Sequence, residues 1–266
     1  MKEIIIGLSG HIDHGKTSLI KSLTNKFSGT LKEDENRGMT IDLGVAFLDK
    51  NITLINVPGH EDFIKNMMSG IHSIDIGLLV IAADDGIMPQ TIEHFEILKL
   101  FNVVDGSIII NKIDLVDEEW LDLVEKDILE LVKGSFLENK LIHKVSTTDN
   151  IGLVELKKYL VNYSYNIHRI DSNVFRFFID RVFISKGFGS IVTGTVLSGT
   201  AKIGDKLKIL PQNKEVKIRG IETHKKTVDE LKIGDRGAIN IQSINKISVK
   251  KGNHLSETNF YSTYES

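Results

Sequence analysis

Residues Gly10–Thr17, GHIDHGKT, place two glycines, a lysine and a hydroxyl in the spacing G-x-x-x-x-G-K-T. That pattern suits one task, gripping phosphate oxygens. Gly10 and Gly15 let the backbone curl so that the N–H groups of His11, Ile12, Asp13 and His14 can turn toward an anion. Lys16 is expected to reach the outer phosphates, and Thr17 to offer its hydroxyl to Mg²⁺. Asp13 is placed to help hold a cation beside them. His11 and His14 stand three apart but lack a third ligand at suitable spacing, which argues against zinc. Asn111–Asp114, NKID, adds a base reader. A carboxylate at Asp114 can accept both N–H donors of a guanine edge, which adenine cannot supply together, so GTP and GDP are the expected nucleotides. Asn111 braces that loop, and the stem of Lys112 lies over the base. Ser146, in Val145-Ser146-Thr147, follows another apolar run and can bring a backbone N–H toward the guanine oxygen.

Two further segments read as sensors of the terminal phosphate. Arg37-Gly38-Met39-Thr40 lies in a polar stretch, with Thr40 able to close on Mg²⁺. Asn56-Val57-Pro58-Gly59-His60 ends an apolar run, with the Gly59 N–H available to the phosphate and His60 placed to order an attacking water. Loops of this kind order with a triphosphate and relax after hydrolysis.

These residues need a frame. Apolar runs of strand length occur at Ile4–Leu8, Val45–Leu48, Ile52–Val57, Ile76–Ala82, Ser107–Ile110 and Leu141–Val145. Between most of them lie segments of helical period, at Thr17–Leu23, Phe63–Ile71, Thr91–Phe101, Trp120–Val132 and Leu153–Leu160. Such alternation predicts an α/β domain, a mostly parallel sheet with helices on both faces, over residues 1–165. A linker follows at 166–173. From Val174 the pattern changes to short, glycine-punctuated strands, which predicts a small antiparallel β-barrel over 174–252. Residues 253–266 read as a polar tail.

The composition fits this frame. The chain has 266 residues, 41% hydrophobic and 26% charged, with no cysteine, which excludes disulfides and thiol chemistry. Its longest apolar stretch, Ile76–Ala83, is far shorter than the ~20 residues of a membrane span. The opening MKEIIIGLSG lacks a secretory cleavage pattern. A cytoplasmic protein without a membrane partner is expected. The net charge of −3 hides a split: 17 basic against 27 acidic residues up to Phe175, then 16 against 9. A basic second half is a prior for an acidic partner such as nucleic acid.

Taken together, GHIDHGKT, RGMT, VPGH, DGIMPQTIEH and NKID resemble the translational GTPases, the class that includes elongation factor Tu. Within that class the chain is most similar to the bacterial selenocysteine-specific elongation factors. The short interval from Gly10 to Arg37, RGMTIDLG, and FFIDRVFISKGFGSIVTGTVLSG carry that resemblance. It implies a factor that binds GTP and Mg²⁺, carries selenocysteyl-tRNA to the ribosome and hydrolyses GTP there, with His60 ordering water. It also implies a selenocysteine pocket at Asp180, Arg181 and Arg236, whose cations suit an anionic selenol. An mRNA hairpin is an implied partner only where further C-terminal domains accompany these two. The chain departs from the family at position 56, where Asn replaces an Asp that supports Mg²⁺ through water. The alternatives are another aminoacyl- or initiator-tRNA carrier, or a nucleotide-binding module with negligible turnover.

Overall fold

A computed structural model describes residues 3–24, 44–58, 71, 73–163, 169, 171–185, 189–224, 226–243 and 249–258. The chain divides into two compact units: Ile4–Ile167, and His168–Ser266 together with Met1–Glu3.

The first unit holds β1 (Ile4–Ser9), α1 (Lys16–Thr24), β2 (Gly44–Asp49), β3 (Ile52–Asn56), β4 (Ile76–Ala82), α2 (Pro89–Leu100), β5 (Gly106–Asn111), α3 (Glu118–Val132), β6 (Ile142–Lys144) and α4 (Leu153–Tyr163). Its six strands run in the order β2-β3-β1-β4-β5-β6. All neighbours are parallel except the edge pair β2–β3. The sequence reason is direct. β1, β4 and β5 are continuous apolar runs buried at every residue, as a parallel sheet covered on both faces requires. Antiparallel β2 instead alternates buried and half-buried residues.

Successive strand residues point to opposite faces. Ile4, Ile6 and Leu8 of β1 pack with Leu19 and Leu23 of α1 and Leu156 of α4, whereas Ile5 joins Leu98 of α2 on the other side. Phe95 of α2 and Val124, Ile128 and Val132 of α3 cover Ile81 and Ile110. The α/β expectation is therefore met. Helices α2 and α3 start two residues before the apolar period begins. Their first turns are polar and are defined by caps: Pro89 at the first turn of α2, and Asp117 accepting from Trp120 N at 2.8 Å in α3. Of the expected helix Phe63–Ile71, only Ile71 lies within the described residues.

The second unit contains β7 (Arg176–Ser185), β8 (Gly189–Ser198), β9 (Thr200–Lys202), β10 (Lys206–Leu210), β11 (Lys214–Thr223), β12 (Lys226–Val228), β13 (Glu230–Lys232), β14 (Arg236–Ser243) and β15 (His254–Glu257). Six of these close into an antiparallel ring, β10-β15-β7-β8-β14-β11, with β11 returning to β10. Closure leaves no sheet edge in the ring. Phe177, Ile179, Val192, Ile218, Ile239 and Leu255 fill its core.

The barrel extends past the expected end at residue 252. The segment read as a polar tail from 253 contains β15, which pairs with both β7 and β10 and closes the ring. Only Leu255 among its four residues is a large apolar group, so no period announces the strand; its two neighbours supply the order. In the expected linker, Asp171 Oδ1 accepts from Gly199 N at 2.8 Å, and Arg169 donates to Glu3 O at 2.7 Å. These residues are anchored within the barrel unit. No helix among the described residues is long and apolar enough to cross a membrane.

Candidate functional site

The loop Gly10–Gly15 joins β1, a central strand of the sheet, to the start of α1. Its path is set by left-handed backbone at Gly10 (φ 137°), Asp13 (φ 62°) and Gly15 (φ 81°). A Cβ at Gly10 would lie 2.2 Å from the Val80 carbonyl oxygen, and one at Gly15 2.2 Å from Asn111 Nδ2. Both positions thus require glycine for space as well as for φ. The amides ahead of α1 form a concave anion cradle, reinforced by the positive end of the helix.

Lys16 lies across this cradle, with Nζ donating to Gly10 O at 2.8 Å and to His11 O at 2.5 Å. Burial pushes its ammonium down to about 7, against a smaller opposing pull from Asp13. An anion arriving at the loop relieves that desolvation. Two histidines brace the loop from behind. His94 of α2, buried, accepts the Gly10 N–H at Nδ1 at 3.0 Å. Burial holds it down at about 3, so it stays a neutral acceptor. His14 faces Val80 O at 3.3 Å and Asp85 Oδ2 at 3.7 Å, and burial lowers it to about 4. His14 is therefore a neutral, packed wall of the loop, stacked edge-on to His11 at 5.0 Å.

The base-reading loop meets the phosphate loop through one bond. Asn111, at the end of β5 and 0% exposed, donates from Nδ2 to His14 O at 3.1 Å. Lys112 takes a left-handed conformation, which turns the chain into a single 3₁₀ turn, Ile113–Leu115, with Asp114 exposed on it. Lys112 Nζ is held by Asp84 at 3.2 Å and Asp85 at 3.7 Å. Parallel pairing of β5 with β6 brings the Ser146 loop alongside, where Ile113 N donates to Val145 O at 3.3 Å. Ser146 differs from expectation. Its N–H donates to Ile151 O at 3.1 Å and its Oγ accepts from Asp149 N at 3.0 Å. The residue shapes the loop, and its own N–H is already committed to that bridge.

Asn56, at the end of β3, donates from Nδ2 to Thr17 Oγ1 at 2.9 Å. Two of the three side chains expected near Mg²⁺ are thus adjacent, although no group of three or more His, Asp or Glu among the described residues forms a metal site by itself. Thr40, Gly59 and His60 lie outside the described residues. Sequence reasoning gave no role to His94, although it closes the DGIMPQTIEH stretch; the only signal was its presence there. Nor did it foresee that Trp120 would donate to Ala83 O at 2.8 Å beside Asp84 and Asp85.

The barrel brings together two of the three residues expected at the selenocysteine pocket. Asp180 is the additional residue at an irregularity of β7 between Ile179 and Arg181. Its Oδ2 meets Arg236 Nη1 at 2.5 Å, and its Oδ1 accepts from Thr193 Oγ1 at 2.9 Å. Arg236 Nη1 also reaches Thr195 Oγ1 at 3.4 Å, and its backbone N–H donates to Glu3 Oε2 at 2.9 Å. Both charges are buried, yet Thr193, Thr195 and Arg236 alternate with the core residues Val192, Val196 and Ile239, so the pair lies on the face of the sheet opposite the barrel core. Arg181 is half-buried and pairs in register with Thr193.

A glycine-built anion cradle bonded to an N-K-x-D loop, on a parallel sheet followed by a six-stranded barrel, defines a guanine-nucleotide-binding protein of the translational GTPase class. Residues 1–166 match the family described as Elongation factor Tu GTP binding domain, and residues 189–256 match Elongation factor Tu domain 2; the chain belongs to this family. Within it, the resemblance to selenocysteine-specific elongation factors holds. The chain is 43% identical over 257 residues to the selenocysteine-specific elongation factor of Desulfomicrobium baculatum, covering 95% of this chain and 40% of that protein. It is 38% identical over 262 residues to that of Methanocaldococcus jannaschii, covering 95% and 56%. A crystal structure of the bacterial selenocysteine-specific elongation factor EF-Sec superposes with a TM-score of 0.87 at 35% identity, covering 97% of this chain and 45% of that one. Translation elongation factor SELB from Methanococcus maripaludis, in complex with the GTP analogue GppNHp, gives 0.85 at 35% identity, covering 97% and 56%. The chain thus spans between 40% and 56% of the length of these relatives.

Proposed function

We propose that this chain is the GTP-binding and adjoining barrel part of a cytoplasmic factor that carries selenocysteyl-tRNA to the ribosome and hydrolyses GTP there. The observation that carries the nucleotide reading is the Asn111–His14 bond, which joins phosphate cradle and base reader in one rigid site. Gly10–Gly15 amides and Lys16 bind the phosphates, and Asp114 accepts the guanine N–H pair. The Thr17 hydroxyl beside the Asn56 amide fits a Mg²⁺ site, completed by Thr40, with Asn56 acting through water. When bound, Mg²⁺ neutralises charge on the β- and γ-phosphate oxygens. His60 orders a water for in-line attack on the γ-phosphorus; the bond to the β-phosphate oxygen breaks and the water's proton leaves with inorganic phosphate. Asp180, Arg181 and Arg236 form the selenocysteine pocket, with the Asp180–Arg236 pair fixing the guanidinium. An mRNA hairpin enters only through further domains of the longer relatives.

Competition of unlabelled GDP, GTP and ATP against fluorescent GDP tests the first half. Guanine nucleotides should displace the probe, and ATP should not; equal competition by ATP would overturn the reading. Filter binding with selenocysteyl- and seryl-tRNA tests the second, and stronger retention of seryl-tRNA refutes the cationic pocket. The neutral amide at Asn56 favours a second reading, a nucleotide-dependent binding module with negligible turnover. A hydrolysis rate that stays flat when ribosomes are added would select it.

A further inference from the structure

Two carboxylates stand beside the cradle built for a polyanion. Asp84 and Asp85 come shortly after the end of β4, and Asp85 Oδ2 lies 3.7 Å from His14 Nε2 in the phosphate loop. Acting only through space, negative charge so placed opposes the binding of phosphate. Both carboxylates turn to Lys112 instead. Its Nζ donates to Asp84 Oδ2 at 3.2 Å and lies 3.7 Å from Asp85 Oδ2. Lys112 is the corner of the base-reading loop. Its backbone is left-handed at φ 59°, a conformation that strains a residue with a Cβ and needs support from its surroundings. Its carbonyl oxygen accepts from Leu115 N at 3.1 Å, closing the 3₁₀ turn on which Asp114 stands.

The turn that carries the two carboxylates is itself tied down at three points. Ala83 N donates to Asn111 O at 2.8 Å, and Gly86 N donates to Ala82 O at 2.9 Å. Trp120 Nε1 donates to Ala83 O at 2.8 Å, and Trp120 N is held by the capping carboxylate of Asp117. The first turn of α3, the turn after β4 and the base-reading loop therefore form one frame. On the guanine-nucleotide reading of this site, we propose that Asp84 and Asp85 are positioning residues. They hold Lys112 in its left-handed corner and so aim Asp114 at the base, while Trp120 fixes the turn they stand on.

Through-space repulsion and positioning predict opposite signs. Asp84→Asn combined with Asp85→Asn keeps the shape and removes both charges. Repulsion alone would make GDP bind more tightly. Positioning makes the full chain bind GDP about three- to tenfold more weakly, with faster release of fluorescent GDP in stopped flow. Competition by IDP supplies a readout that a merely structural role would not move. Hypoxanthine lacks the exocyclic amine, so Asp114 has one donor fewer to accept, and loss of its aim should cost GDP more than IDP. The GDP-to-IDP preference should therefore narrow in the variant. In a Lys112→Met background the same two Asn substitutions should no longer weaken GDP, because the group they act through is gone. Trp120→Phe keeps a ring but loses the indole donor, and should weaken GDP in the same direction by about two- to threefold. Equal or tighter GDP binding by the Asp84→Asn, Asp85→Asn variant, an unchanged GDP-to-IDP ratio, or the same loss in the Lys112→Met background overturns the proposal. A wild type that binds ATP as well as GDP overturns the guanine reading itself, and with it this role for the two carboxylates.

Discussion

Removing the one side-chain bond between the two nucleotide loops, and then re-testing a steric clash against it, gives a prediction with a defined sign. Asn111→Ala deletes the Nδ2 donor to His14 O and leaves a buried carbonyl unpaired, at a cost of about 1–3 kcal/mol of folding stability. Gly15→Ala places a Cβ 2.2 Å from that same Nδ2 and holds a non-glycine residue at φ 81°. The amide must retreat by more than about 1 Å to restore ordinary contact, which breaks its bond, so two penalties combine to about 2–6 kcal/mol. In the Asn111→Ala background the clash is gone and only the backbone strain of about 1–3 kcal/mol remains. The pair should therefore be non-additive by about 1–3 kcal/mol, the double variant being more stable than the sum of the singles implies. Urea unfolding read by fluorescence suits the measurement, because Trp120 is the only tryptophan in the chain and bonds to Ala83 within the nucleotide unit. Additivity to within about 0.5 kcal/mol would refute the claim that Gly15 is required by Asn111.

Other consequences follow from the same geometry. Asp114→Asn replaces the carboxylate proposed to accept the guanine N–H pair and should shift preference from guanine toward xanthine nucleotides, which competition against fluorescent GDP will show. His14 and His94 hold fewer protons folded than unfolded, since burial lowers them from 6.5 to about 4 and about 3. The stability these two histidines contribute should thus be complete above pH 6.5 and be lost as the pH falls from 6.5 to 4, at about 1.4 kcal/mol per pH unit per histidine, with His94 alone continuing the loss down to about 3. With His94→Leu that slope should fall by about half in urea titrations at successive pH values; an unchanged slope refutes the assignment. In the barrel, Asp180→Leu alone strands a buried guanidinium and should cost about 3–5 kcal/mol, whereas Asp180→Leu with Arg236→Met should recover most of it by circular dichroism melts.

The parallel sheet was legible in the sequence because strands buried on both faces must be continuous apolar runs, as at Ile4–Leu8 and Ile76–Ala82. The phosphate loop was legible because its demands are local: glycines for φ and space, then lysine and threonine at fixed spacing. The NKID loop was equally local, and the departure at Asn56 is visible in a single residue. β15 was hidden, since a four-residue strand with one large apolar side chain is ordered by its two neighbours and not by its own period. The commitment of the Ser146 N–H to Ile151 could not be read either, because two residues close a bridge only once β6 and the turn after it are in place.

What the sequence determined alone is the set of local chemistries: which backbone can curl around an anion, which carboxylate can read a purine, which runs must be buried. What only the tertiary structure decided is which distant groups serve them. His94 accepting the Gly10 amide from 84 positions away, Asn111 bonding across 97 positions to His14, and Asp180 of β7 meeting Arg236 of β14 all depend on strand order. Hydrogen bonds and ion pairs act over a few ångströms, and the spacing of residues along a chain does not say which of them the fold will bring that close.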